Sequence, residues 1–217
     1  METEIAEDGK RETGNGAVPE LCVPLLAPTQ RLVSLPSIDL RDATSGAPPR
    51  LRTSVRVGFR DRALVVRFDG RDAGTVATLS GRDEALWTED VYEVFLTPFD
   101  PPTVYFEFEI NPLGALFDAR VDSPDLDRGS MNVDVEWNLP GFRGRSRVRQ
   151  TRWSATLEIP IAPMLGGRSN PRSWRANFFR VDRGAKDEFS AWSPPGREPA
   201  DFHEARRFGR LNLAGTL

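Results

Sequence analysis

The chain has 217 residues, of which 39% are hydrophobic and 28% are charged. That length suits one all-β domain with a substantial apolar core. The net charge of −3 argues against a nucleic-acid partner. No apolar run approaches the roughly 20 residues that a membrane span needs, so no membrane partner is expected.

The first 16 residues lack the apolar stretch of a secretory signal, which leaves two interpretations: a cytoplasmic protein, or one whose leader has been removed. Oligomeric state is left open.

The residue types that carry most covalent and metal chemistry are almost missing. Cys22 is the single cysteine and His203 the single histidine. An intrachain disulfide is excluded, and so is a zinc site built from these ligands. A catalytic nucleophile would depend on His203 alone as its base, and no serine lies in a G-x-S-x-G turn. The sequence therefore disfavours an enzyme.

Short segments with period-two alternation follow a polar head. Residues 1–20 are charged and without apolar periodicity, which predicts a disordered N-terminal head. Residues 21–217 are predicted to form a single domain whose strands include 53–59, 64–68, 91–96, 105–110, 153–159 and 174–178. A turn is expected at Arg60-Asp61-Arg62, and 18 Pro and 18 Gly separate the strands. The pattern predicts an all-β, antiparallel β-sandwich with jelly-roll or immunoglobulin-like layering.

One stretch is rich in arginine. Alternate positions carry the arginines Arg143, Arg145, Arg147 and Arg149, and Arg152 follows. Period-two spacing puts such residues on one face of a strand. We interpret them as a solvated sheet surface.

The ordered landmarks of the chain resemble a known family. They include the segments Leu86-Trp87-Thr88-Glu89-Asp90-Val91-Tyr92-Glu93-Val94-Phe95-Leu96, Tyr105-Phe106-Glu107-Phe108-Glu109-Ile110-Asn111-Pro112, Trp174-Arg175-Ala176-Asn177-Phe178, Ala191-Trp192-Ser193-Pro194 and Phe208-Gly209-Arg210-Leu211. Together they resemble the family 9 carbohydrate-binding modules, a branch of the DOMON-like β-sandwich group. The resemblance spans roughly residues 50 to 213.

The resemblance implies non-catalytic binding of a carbohydrate, the reducing end of a mono- or oligosaccharide, between two tryptophans. It assigns these roles to Trp87 and Trp192, with Glu93 gripping a sugar hydroxyl. The further polar positions that it implies are Asn111, Arg120, Asn177 and Arg180. It also implies a bacterial module associated with the breakdown of xylan and other polysaccharides. Structural calcium is a possible cofactor of such modules, with loop carboxylates such as Asp118, Asp122 and Asp125 as oxygen ligands.

The contexts of the tryptophans and glutamates refine these expectations. Trp153 and Trp174 belong to alternating apolar stripes, so both are predicted in the core, whereas Trp87 and Trp192 adjoin loops. Glu93 lies within a predicted strand and needs a partner if buried. Arg120 is a candidate for that partner, whether the pair is structural or Glu93 also accepts from a sugar hydroxyl. The other two strand glutamates of interest, Glu107 and Glu109, are expected on a solvated face.

Three alternative functions stay open. Some DOMON-like domains bind haem b between a methionine and a histidine, here Met131 or Met164 with His203. Glu93 with Glu107 or Glu109 would supply the paired carboxylates of a glycosidase. A module that only pairs with another protein is the third alternative.

Overall fold

A computed structural model describes residues 17–214. Its strands are β1 Glu20–Val23, β2 Ile38–Asp39, β3 Arg41–Asp42, β4 Thr53–Arg60, β5 Ala63–Arg71, β6 Val91–Thr97, β7 Val104–Ile110, β8 Leu116–Asp122, β9 Asn132–Asp134, β10 Arg143–Arg149, β11 Arg152–Pro160, β12 Ser173–Asp182, β13 Glu188–Ala191 and β14 Gly209–Leu213. The helical turns are of the 3₁₀ type: Leu32–Ser34, Leu86–Thr88, Arg128–Ser130, Ala162–Leu165 and Ala205–Arg207. The described residues include no α-helix and no helix long and apolar enough to cross a membrane.

Two sheets form the sandwich that the sequence predicted. The large sheet has nine strands, with a main path in the order β1-β14-β12-β6-β7-β8-β9 and with β13 and β3 attached beside β12. The small sheet has five strands in the order β10-β11-β5-β4-β2. Neighbouring strands are antiparallel except for β1, which runs parallel to β14. The fold class is therefore confirmed.

The first hairpin shows how the local sequence sets the register. Strands β4 and β5 are joined by Asp61 and Arg62, both with positive φ, 51° and 64°. Two central residues with positive φ match the twist of the flanking strands, as in a type I′ turn. Arg60 consequently pairs with Ala63, and the register continues to Thr53 opposite Gly70. The predicted turn is confirmed.

Aromatic rings fill the space between the sheets. The ring of Tyr92 on β6 is stacked on Phe68 at 4.6 Å and on Trp153 at 3.7 Å between centroids. Trp153 and Trp174 are 1% and 2% exposed, which confirms both as core residues. Burial of such large apolar surfaces is the main contribution to the stability of the sandwich.

The large sheet is covered on its outer face as well. A second apolar cluster there includes Val91, Phe95, Tyr105, Phe117 and Phe208. The 3₁₀ turns and loops around residues 126–133 and 200–208 pack over this cluster. All seven residues of β6 are therefore buried, on both faces of the sheet. Side chains that alternation alone would assign to solvent are enclosed here.

Two further predictions concern the arginine-rich strand and the N-terminal head. The arginines of β10 and Arg152 are exposed on the outer face of the small sheet, as expected of a solvated surface. Residues 1–16 of the predicted head lie outside the described residues. Of the remainder, Glu20 begins β1 and pairs with Arg210 of β14.

Candidate ligand-binding cleft

A cleft of about 400 Å³ opens on the outer face of the large sheet. Its floor is formed by strands of that sheet, and its walls are formed by the loops that precede β6 and β9 and that follow β13. The lining residues are Trp87, Glu93, Glu107, Phe117, Arg128, Met131, Val133, Val135, Val181, Arg183, Phe189, Ala200, Asp201, Phe202 and His203. An apolar and aromatic lining with a few polar groups is typical of small-molecule sites.

Trp87 supplies the open aromatic surface of the cleft. It lies in the 3₁₀ turn Leu86–Thr88, whose buried Leu86 anchors the turn to the second apolar cluster. The indole packs edge-on against Phe117 at 5.2 Å, yet 42% of the residue stays exposed. Arg183 donates to the carbonyl oxygen of Trp87 at 3.2 Å and so holds the turn against β12.

Further rings belong to the same cleft. Phe189 on β13 is half-buried, and the guanidinium of Arg183 lies over its ring at 5.0 Å. Phe202 packs edge-on against Phe189 at 6.2 Å and is stacked on Phe179 at 4.2 Å. The cleft thus combines one exposed indole and two more deeply buried phenylalanine rings with a cationic side chain.

Glutamates form the polar part of the floor. Glu93 and Glu107 line the cleft and are only 2% and 6% exposed, and Glu109, opposite Glu93 on β7, is fully buried. Burial raises the pKa of Glu107 to about 7, and burial followed by repulsion from Glu107 raises the pKa of Glu93 well above its usual range. The expectation that Glu107 and Glu109 face solvent is wrong, because loops cover this face of the sheet.

Arg120, the candidate partner of Glu93, is on the other side of the sheet. Arg120 of β8 pairs with Asp122 at 2.8 Å and borders a separate groove with Phe106 and Trp137. Alternation along β8 explains this, since the neighbours of Arg120 in sequence face the cleft side. The predicted Glu93–Arg120 pair is therefore not formed.

Trp192 does not face the cleft. It is 8% exposed and packs between the sheets, with its indole 5.4 Å from the ring of Phe178. Gly209 approaches the indole so closely that a Cβ there would lie 2.5 Å from it. Ala191 occupies the cleft side of β13, so the next residue turns toward the opposite face. The structure does not bring Trp87 and Trp192 together around one cavity.

Three other polar residues predicted for the site form hydrogen bonds within the protein instead. Asn177 is buried and exchanges hydrogen bonds with the backbone of Ser193, at 2.7 and 2.9 Å. Asn111 donates to the carbonyl of Leu79 at 2.7 Å and accepts from the backbone N–H of Ala115 at 3.0 Å. Both side chains satisfy loop backbone groups and are absent from the cleft lining.

Arg180 is the third of these residues. It is 1% exposed between the sheets, where it pairs with Asp182 and donates to Thr53 Oγ1 at 3.0 Å. It also donates to the carbonyl of Arg71 at 2.6 Å. A buried guanidinium with this many acceptors links the two sheets rather than lining a site.

The loop carboxylates considered for calcium do not converge. Asp118 accepts from Arg82 and from the backbone N–H of Leu139, and Asp122 is occupied by Arg120. Within residues 17–214, carboxylates meet in two groups of three: Asp72 with Asp90 and Asp182, and Glu93 with Glu107 and Glu109.

Two of the three residues considered for haem contact a tyrosine. His203 and Met131 both line the cleft, and both contact the hydroxyl of Tyr105, at 2.8 Å for Nδ1 and 3.4 Å for Sδ. Burial lowers the pKa of His203 to about 4, so the imidazole is neutral near pH 7. Met164 borders the separate groove beside Trp137. The histidine and Met131 share a hydrogen-bonding partner instead of facing each other across a gap, which gives the haem alternative no support.

Sequence reasoning missed several cleft residues, above all Phe189, Phe202 and Arg183. Phe202 stands beside His203 in the sequence, and Phe189 lies three residues before Trp192. Recognition of β13 as a strand would have pointed to Phe189, since it shares a face with Ala191 and not with Trp192.

A two-sheet β-sandwich with one aromatic and acidic cleft on a sheet face defines a small-ligand-binding module. The model of carbohydrate-binding family 9 matches residues 42–213, and the chain belongs to that family. A candidate carbohydrate-binding protein from Bacteroides uniformis has a similar structure, with a TM-score of 0.73 and 18% identity over 91% of this chain and 100% of that chain.

One further solved module and one curated protein are also similar to the chain. A family 9 module from Caldicellulosiruptor kristjanssonii, solved with cellotriose and also with glucose, superposes with TM-scores of 0.62 and 0.59. Identity is 12% and 11%, over 92% of this chain and 95% and 97% of the respective module chains. A protein of Arthroderma benhamiae described as extracellular is 25% identical over 178 residues, 75% of this chain and 79% of that protein.

Proposed function

We propose that the cleft binds a carbohydrate, the reducing end of a mono- or short oligosaccharide, without catalysing its conversion. The observation that carries the proposal is the 42% exposed indole of Trp87 in the same cleft as the acidic side chains of Glu93 and Glu107. Membership of a carbohydrate-binding family supports it, as do neighbours of the same fold that were solved with glucose and cellotriose.

The chemistry of a pyranose fits this lining. Its C–H faces stack on aromatic rings, and its hydroxyls need acceptors and donors. Trp87 offers the ring face, while Glu93 and Glu107 offer acceptors and Arg183 offers a donor. Since Trp192 packs in the core, the second aromatic wall is assigned to Phe189. The sugar is thus expected between a tryptophan and a phenylalanine.

The extent of the cleft favours the end of a chain. Its volume of about 400 Å³ is at the lower part of the range for small-molecule sites. Residues 128–135 and 200–203 wall the cavity, which suits a terminal sugar rather than the middle of a long polymer.

Calorimetric titration with glucose, cellotriose and xylobiose tests the proposal. Trp87→Ala is expected to weaken binding at least tenfold, since one stacked aromatic face contributes about 1–3 kcal/mol. Phe189→Ala should weaken it in the same direction, and Trp87→Phe should retain part of the affinity. Val148→Ala removes an equally exposed apolar side chain on β10 and serves as the control. Unchanged affinity in Trp87→Ala would refute the site.

Borohydride-reduced cellotriose tests the reducing-end preference. The alditol lacks the closed terminal ring, so it should bind at least tenfold more weakly than cellotriose. Equal affinity for both would show that the cleft accepts internal or non-reducing positions instead.

The absence of catalysis is tested separately. The structure brings oxygens of Glu93, Glu107 and Glu109 within 4.8 Å of one another, which is the one feature that a two-carboxylate hydrolase would share. We expect no release of product from xylan, cellulose or aryl glycosides. Turnover that disappears in Glu93→Gln would revive the hydrolase.

A further inference from the structure

The outer face of the small sheet carries a concentration of arginines. The core takes up alternate residues of β4, β5 and β11, so the residues between them face outward. The strand register brings together on this face Arg56 and Arg60 of β4, Arg67 and Arg71 of β5, Arg152 of β11, and Arg143, Arg145, Arg147 and Arg149 of β10. The acidic side chains that these four strands place among them are Asp69 and Glu158. The face is therefore strongly positive in a chain whose net charge is −3.

Part of this positive charge has no carboxylate beside it. Glu158 pairs with Arg143 at 3.0 Å, and Asp69 pairs with Arg67 and Arg56 at 2.5 and 3.2 Å. Within residues 17–214, no salt bridge is formed by the exposed side chains of Arg145, Arg147, Arg149 and Arg152. Residues two apart on a strand are separated by about 7 Å, which is within the Debye length of about 8 Å at physiological salt. These four guanidinium groups therefore repel one another and attract an anion together.

The arginines border a trough in the surface of the sheet. Arg145 lies opposite Thr156, which in turn lies opposite Arg67, and Arg147 lies opposite Ser154. Because β11 contributes two small hydroxyl side chains here, the long side chains of β10 and β5 stand on either side of it, about 10 Å apart. Depressions of about 510 and 380 Å³ lie along this line, and Arg67 borders both. This arginine trough thus has cationic walls and a floor of hydroxyls.

Protection of the sheet edge does not explain this pattern. β10 is at the edge of the small sheet, where charged side chains hinder pairing with another chain. Arg67, Arg71 and Arg152, however, belong to β5 and β11, which have neighbours on both sides. Arg149 lies directly opposite Arg152, which lies directly opposite Arg71. Like charges at opposed positions are destabilising, and a bound anion would offset this repulsion.

The other side chains of the face favour one class of anion. The outward residues of β4, β5, β10 and β11 include no aromatic ring. Single-stranded nucleic acids stack their bases on aromatic side chains, and proteins that lie on a membrane insert apolar ones. The hydroxyls of Ser154 and Thr156 suit hydrogen bonding to sugar hydroxyls instead. The fork of donors on each guanidinium matches the two oxygens of a carboxylate.

We propose that the arginine trough binds an acidic polysaccharide, a chain whose sugar rings carry carboxylates. Arg145, Arg147 and Arg152 donate hydrogen bonds to carboxylates along the chain, and Ser154 and Thr156 hydrogen-bond to its hydroxyls. The trough is on the small sheet, whereas the cleft is on the outer face of the large sheet. This surface therefore goes beyond the proposed sugar binding in the cleft and does not depend on it.

Calorimetric titration of the whole chain with oligogalacturonate, with polyglucuronate and with their methyl esters tests the proposal. The esters keep the sugar rings but lack the negative charge, so only the acids should bind. Added sodium chloride should weaken that binding, because it screens exposed charges. The double variant Arg145→Gln with Arg147→Gln should reduce affinity for the acids at least tenfold. Arg149→Gln with Arg152→Gln should reduce it in the same direction, and all four side chains are exposed, so both double variants should fold.

Arg168→Gln with Arg172→Gln is the matched control, since it removes the same charge from two exposed arginines of the loop before β12. Its affinity for the acids should stay within about twofold of that of the original chain. Cellotriose affinity should be unchanged in every double variant, so a failure of the trough is distinguished from a failure of the cleft.

The proposal is overturned if neither acid binds, if acids and esters bind equally, or if the trough and control variants lose the same affinity. Tighter binding of single-stranded RNA or of phosphatidylserine vesicles than of the acids would overturn it as well.

Discussion

Trp87 and Trp192 have similar sequence contexts but differ in their burial. Trp87 adjoins a loop and leaves 42% of its surface exposed, whereas Trp192 also adjoins a loop and is 8% exposed. The difference arises from which side of the large sheet each residue faces. Of the two, only Trp87 lines the cleft.

Stability measurements separate the two residues. Trp192→Ala should lower the free energy of unfolding by about 3–5 kcal/mol, as other large-to-small changes in a core do. Trp87→Ala should lower it by about 1 kcal/mol or less, since its exposed indole adds little to the core. Urea unfolding measures both. Equal losses in the two variants would contradict the assignment of Trp192 to the core.

Gly70 is a residue whose small size the packing requires. A Cβ at this position would lie 2.2 Å from the hydroxyl oxygen of Tyr92, whose ring is fixed between Phe68 and Trp153. Gly70→Ala should therefore destabilise the protein by about 1–3 kcal/mol. Tyr92→Phe removes the clashing oxygen, so the double variant should lose less than the sum of the two single losses. Strict additivity in urea unfolding would refute the steric explanation.

At the scale of elements, Asn177 connects β12 to the segment after β13. Its side chain satisfies both backbone groups of Ser193 in a buried position. Asn177→Ala leaves a buried N–H and a buried C=O without partners, which should cost about 2–3 kcal/mol. Asn212→Ala, which removes an exposed contact with Glu20, is the control and should change stability by about 0.5 kcal/mol or less.

Asn177→Ala should affect sugar affinity only through a loss of folded protein. Asn177 is outside the cleft lining, so its replacement should not reduce affinity at a temperature where the variant is fully folded. A tenfold loss of affinity in the folded variant would instead indicate that Asn177 contacts the sugar.

For the molecule as a whole, the burial of His203 predicts that the free energy of unfolding depends on pH. Burial lowers its pKa to about 4, and Arg128 lowers it further, while Asp201 opposes the shift. The hydroxyl of Tyr105 is hydrogen-bonded to Nδ1 of the His203 ring. Between pH 4 and the ordinary histidine value of 6.5, the unfolded chain binds a proton that the folded chain does not. Stability from this group is therefore complete above about pH 6.5 and is lost as the pH falls toward 4.

Unfolding measurements across this range test the prediction. The histidine should contribute about 2 kcal/mol to the fall in stability, since the ring is not fully shielded from water. His203→Gln should show a shallower fall over the same range than the original chain. An identical pH profile in both proteins would show that carboxylates alone account for the dependence.

The sequence by itself determined the β-sandwich, the β4–β5 turn and the core positions of Trp153 and Trp174. These properties follow from local alternation and from turn residues, which act within a few positions of the chain. It also indicated Trp87 and Glu93, which do line the cleft.

Tertiary structure alone decided the face of Trp192, the opposite face of Arg120 and the burial of Glu107 and Glu109. Alternation states that two residues differ in face, but it does not state which face is covered. Here loops from residues 126–133 and 200–208, distant in sequence, cover the outer side of the large sheet. That coverage encloses charges that the strand pattern assigns to water, because enclosure depends on long-range packing rather than on local sequence.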